Sequence, residues 1–103
     1  MPTMYRGRAV NDATIMPTLV TLCVKIGPEF ENIDYIRMVI REKAGVPNSI
    51  KIETKVIGSE AVASFVVSDP ITLGYIRDAV SKWYCEDGVA PYPPGTLLYW
   101  NAR

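Results

Sequence analysis

The side chains able to do chemistry in this chain are carboxylates, tyrosines and two thiols; histidine and glutamine are absent from its 103 residues. Without histidine, the commonest general base and the commonest neutral metal ligand are both missing. Serine–histidine or cysteine–histidine catalysis and histidine-ligated zinc are therefore excluded within the chain. What remains open to an enzyme is a two-carboxylate or a tyrosine-based site. Glu29, Glu31, Asp34, Glu42, Glu53, Glu60, Asp69, Glu86 and Asp87 supply carboxylates, but none stands at the spacing of an acid–base or metal pair. Asp69, just before Pro70, reads as a helix cap, and Glu86-Asp87 as a solvated pair at a helix end. Cys23 and Cys85 show neither disulfide nor metal spacing and read as structural thiols. No catalytic residue, cofactor site or metal site is assigned on this basis, and the chain is expected not to be an enzyme.

The elements that would position these groups are well punctuated. Val20, Leu22, Val24 and Ile26 alternate with Thr21, Cys23 and Lys25, the period of a half-buried strand. Gly27-Pro28 then opens a first helix, with Glu29 and Glu31 near its positive end and Ile33, Ile36 and Ile40 as the predicted buried stripe. Gly45 and Pro47 close it. Residues 49–57 and 61–68 read as two strands joined at Gly58-Ser59, a two-residue hairpin turn. That turn sets Val56 opposite Ala61, Thr54 opposite Ala63, Ile52 opposite Phe65 and Ile50 opposite Val67, all on one face. Lys51, Glu53, Lys55, Val62, Ser64 and Val66 fall on the other. Asp69-Pro70 opens a second helix, with Leu73, Ile76, Val80 and Trp83 as its stripe, and Gly88 closes it. Gly74 inside this helix suggests close packing. The stiff connector from Pro91 to Gly95 leads to a last strand over 96–101, whose inward side its run of apolar residues leaves undecided.

The order strand–helix–strand–strand–helix–strand predicts an α+β, ferredoxin-like two-layer sandwich: an antiparallel sheet with two helices on one face. Residues 18–103 form that single domain, and 1–17 an N-terminal arm or short strand. An alternative rests on a resemblance. Ile33, Ile36, Ile40 and the Gly45-Val46-Pro47 turn resemble the helix of ubiquitin and the turn after it, with Thr21, Leu22, Val24 and Gly95-Thr96-Leu97 also matching. That resemblance implies a ubiquitin-like β-grasp and requires a strand over residues 4–10; no Gly-Gly tail for conjugation is present.

Length and charge narrow the function classes. The chain is long enough for one core, its formal net charge is zero, and no apolar run approaches the ~18 residues of a membrane helix. A soluble, cytoplasmic protein is expected, without a membrane partner. The leading expectation is a small non-catalytic interaction or assembly module. It would bind a protein partner or a second copy of itself, as a homodimer, through the helix-free sheet face, as a subunit of a larger complex or a viral inhibitor of a host factor. Lys25, Lys51, Lys55, Val62, Ser64 and Val66, with Tyr92 and Tyr99, are its candidate contact residues. One alternative is RNA or single-stranded nucleic-acid binding, because the RNA-recognition motif shares this element order; Arg6 and Arg8 are then further contacts. Against it, Phe65 is the only aromatic of its strand and points to the core. A small cofactor-free enzyme is the other alternative.

Overall fold

The computed structural model describes residues 17–30, 32–86 and 90–103. Its elements are β1 (Thr18–Lys25), α1 (Ile33–Ala44), β2 (Glu53–Ile57), β3 (Glu60–Val67), α2 (Pro70–Cys85) and β4 (Leu97–Ala102). The sheet order is β2-β3-β1-β4, antiparallel throughout, so the first and third strands lie in the middle. This is the ferredoxin-like plan, and the β-grasp alternative is set aside. The expected arm, the strand over 4–10, Arg6, Arg8 and the closing Gly88 lie outside the described residues.

Period-two alternation decides which side of the sheet is buried. Val20, Leu22 and Val24 of β1 stand opposite Phe65, Ala63 and Ala61 of β3, and all six are buried. The hairpin has the predicted register next to its turn, with Val56 opposite Ala61 and Thr54 opposite Ala63, but the ladder ends at Glu53 and does not reach the expected pairs Ile52–Phe65 and Ile50–Val67. Gly58 takes the left-handed conformation its turn needs, φ 61°. Onto this face α1 brings Ile36, Ile40 and Ala44, and α2 brings Ile76, Val80 and Trp83. The Trp83 indole N–H donates to the Gly95 carbonyl at 3.0 Å, tying α2 to the approach of β4.

Several boundaries differ from those expected. Helix α1 begins at Ile33 rather than at Pro28, because Asn32 caps it: the Asn32 side chain accepts from the Tyr35 N–H at 2.9 Å. Residues 27–30 instead make a turn closed by the Phe30 N–H on the Gly27 carbonyl. Starting later leaves Ile33 exposed instead of in the buried stripe. Strand β2 begins only at Glu53, since residues 47–50 form a turn in which the Ile50 N–H meets the Pro47 carbonyl. At the other end Gly45, at φ 69°, stops α1 as predicted. Helix α2 ends at Cys85 with Glu86 as its cap. Its Gly74 is exposed, and a Cβ there would meet nothing within 4 Å, so it marks no close packing.

Asp69 caps α2 through the Thr72 hydroxyl at 2.7 Å and the Thr72 N–H at 2.8 Å, and these bonds hold its carboxyl below the usual range. A depressed folded-state value adds stability above the unfolded value and loses it as pH falls through the folded one. Replacing Asp69 with Asn should therefore keep the cap and flatten the acid limb of the stability profile below about pH 4, as followed by circular dichroism. In urea unfolding, Gly74→Ala should raise stability by about 0.5–1 kcal/mol. Ile40→Ala should lower it by about 2–5 kcal/mol, because Ile40 is fully buried.

Candidate active site

The helices cover one side of the sheet, and the other carries side chains from all four strands. Because directly paired residues share a face, the ladder registers sort this side into rows. Glu53 stands opposite Ser64, Ser64 opposite Thr21, and Thr21 opposite Asn101. One carboxylate, two hydroxyls and one carboxamide thus form a polar row across the sheet. On one flank lies the apolar pair Val66 and Leu19. On the other lies the row Lys55, Val62, Cys23 and Tyr99, and beyond it Ile57, Glu60 and Lys25.

Lys51 precedes β2 and turns its ammonium to the Glu53 carboxylate at 3.4 Å. A groove of about 440 Å³ is lined by Leu19, Lys51, Glu53, Ser64 and Val66 among others. A second, of about 400 Å³, runs along Glu53, Lys55, Val62 and Ser64. Both are within the size range of small-molecule sites, and both share Glu53 and Ser64. At the far end of the row the Asn101 amide donates to the Tyr99 hydroxyl at 2.8 Å.

Most of the predicted surface residues do meet on this side. Lys55, Val62, Ser64, Val66 and Tyr99 lie in the rows, and Lys51 borders them. Lys25 is at their edge, donating from Nζ to the Ser59 hydroxyl at 3.0 Å. Tyr92 is exposed in the connector before β4 and belongs to no row. Asn101 was missed because simple alternation fails in β4. A bulge between Cys23 and Val24 pairs Val24 with Leu97 but Cys23 with Tyr99, skipping Leu98. Trp100 and Ala102 thereby pack on the core, while Tyr99 and Asn101 share the open face. Nothing local in the sequence announces that bulge.

Cys23 is half-buried on this face, with its thiol 3.4 Å from a Glu60 carboxylate oxygen. Burial, then the hydrogen bond to Glu60 and its charge, push the thiol up to about 11. Other carboxylates have structural partners: Asp34 pairs with Arg37 at 2.9 Å and Glu86 with Lys43 at 3.3 Å. Among the described residues no group of three metal-ligating side chains converges, and no helix is long and apolar enough to cross a membrane.

No family model and no curated protein matches the chain. A solved structure does: a candidate antibiotic biosynthesis monooxygenase from Chloroflexus aurantiacus, with a TM-score of 0.48 and 11% identity, over 85% of this chain and 91% of that one. The expectations of a non-catalytic interaction module and of a chain that is not an enzyme are corrected here. The face expected to be a plain contact surface concentrates a carboxylate, ammonium and hydroxyl groups around two adjoining grooves.

At pH 8 a thiol titrating near 11 is about one part in a thousand thiolate. Iodoacetamide should therefore modify the exposed Cys85 and spare Cys23. Glu60→Gln should speed labelling of Cys23 several-fold, as read by peptide mass spectrometry.

Proposed function

We propose that the chain is a small enzyme that works without a bound cofactor, taking a proton from a flat, mostly apolar organic molecule laid on the open sheet face. The observation that carries this reading is the unbroken row Glu53, Ser64, Thr21 and Asn101, bordered by apolar side chains and joined to Lys51.

Each group has a role suited to its chemistry. Glu53 is the general base, since it is the carboxylate common to both grooves. Lys51, 3.4 Å from it, adds positive charge where an oxyanion would develop. Ser64 and Thr21 offer hydroxyl donors to that oxyanion. Spacing selects them over Asn101: strands lie ~4.8 Å apart, so Asn101 is ~14 Å from Glu53 across three intervals. A one- or two-ring substrate touching Glu53 reaches Ser64 and Thr21 and stops short of Asn101. Leu19 and Val66 on one bank and Val62 on the other supply the apolar contact that holds a flat ring against the sheet.

The experiment incubates the protein in deuterium oxide with a panel of phenols and cyclic ketones, following exchange at acidic carbons by proton NMR and dioxygen uptake in parallel. Catalysed exchange or turnover is expected for at least one class. Glu53→Gln should lower its kcat by roughly a hundredfold or more and Ser64→Ala by roughly tenfold, with little change in KM. Absence of exchange and turnover across the panel, or full activity in Glu53→Gln, overturns the reading.

A further inference from the structure

The turn before β2 separates two unlike concavities. On its open-face side lies the groove with Leu19 and Val66. On its helix side lies a third groove, of about 410 Å³, lined by Arg37, Arg41, Asn48, Lys51, Ile52 and Glu53 among others. Three cationic side chains against one carboxylate give this lining two net positive charges. We propose that this groove, which shares Lys51 and Glu53 with the open face, binds the phosphate group of a small phosphate monoester.

The two guanidinium groups are already held in place. Arg37 and Arg41 are one helical turn apart on α1, on the same side of the helix. Arg41 Nη1 donates to the Pro47 carbonyl, fastening the 47–50 turn to α1. Arg37 Nη1 donates to Asp34 at 2.9 Å. Each guanidinium has five N–H donors, and these bonds use one nitrogen of each, leaving others for a ligand. The Asp34 carboxylate is 93% exposed and the Lys51 ammonium 85%, so water screens both, and the two guanidinium groups carry most of the cationic character of the groove.

Arg37 is also one acceptor short. Its Nε–H is shut off from water and has no hydrogen-bond partner. A ligand in the groove must therefore use the terminal Nη donors rather than this buried group. Phosphate suits the site on charge and geometry: a dianion balances two net positive charges, and its oxygens match the guanidinium fork. Ile50, partly buried, lines the same groove and provides an apolar contact for the organic part of an ester.

The test is an NMR titration of the full chain, labelled with 15N, at ionic strength held constant with sodium chloride. The probes are inorganic phosphate, phenyl phosphate and benzoate. Saturable shifts confined to the amides of residues 48–53 and the Nε–H signals of Arg37 and Arg41 are expected. Phenyl phosphate should bind tighter than inorganic phosphate, and benzoate several-fold weaker than phenyl phosphate. Arg37→Gln should weaken phenyl phosphate roughly tenfold, and Asp34→Asn should leave it unchanged or tighter. Arg37→Lys, which keeps the charge but loses the fork, should fall between wild type and Arg37→Gln; it serves as the folded comparison if Arg37→Gln unfolds. Shifts that never saturate, shifts shared equally with Lys55 and Lys82, or equal affinity in Arg37→Lys and wild type overturn the proposal. Benzoate binding as tightly as phenyl phosphate overturns it too. No turnover is involved, so a failure of this titration is distinguishable from a failure of the exchange assay.

Discussion

The fold depends on the antiparallel pairing of β1 with β3. Eight residues of each strand pair without interruption, Thr18 with Val67 through Lys25 with Glu60. Because side chains alternate with a period of two, that one register sends Val20, Leu22 and Val24 to the helices together with Ala61, Ala63 and Phe65. A slip of β1 by one residue would turn Val20, Leu22 and Val24 to water and bring Thr21 and Cys23 inward. The registers of both outer strands are built on this pair, and so is the alignment of the polar row.

Side-chain size on the central pair then shapes the helix layer. Ala61 and Ala63 are fully buried, and such small residues on a sheet leave room for the branched side chains of the helices, here Ile36, Ile40, Ile76 and Val80. The bulkier Phe65 fills the layer farther along β3. Trp83 closes the region near β4, and its indole N–H is satisfied by Gly95 rather than left buried without a partner. The far side of the sheet keeps a mixed surface in which Leu19, Ile57, Val62 and Val66 stand among polar groups.

Much of this was readable in the residues, and the misses have physical causes. The hairpin register followed from a two-residue turn agreeing with the alternation on both sides of it. Asp69 and Gly45 announced their caps because each residue type satisfies orphan backbone groups at one kind of position. The start of α1 was misplaced because Pro28 and Asn32 both suit a helix entrance, and only the turn at residues 27–30 decides between them. Gly74 suggests close packing by its residue type alone, but it lies on open surface. The functional face was only half visible. Lys55, Val62, Ser64 and Val66 followed from the hairpin, but Asn101 depended on a bulge that shifts the alternation of β4. The row itself is a property of three registers at once, which no single segment encodes.

That row has a consequence for how the molecule can change. Its four members come from four separate strands, and none of them packs into the core. Each can be exchanged without disturbing the burial on the opposite side, and without altering the other three. The two surfaces of the sheet are thus separable by substitution: the buried one is constrained by volume, and the open one tolerates changes of donor, acceptor and charge. A lineage carrying this scaffold could retarget its chemistry one strand at a time while the folded framework stays constant.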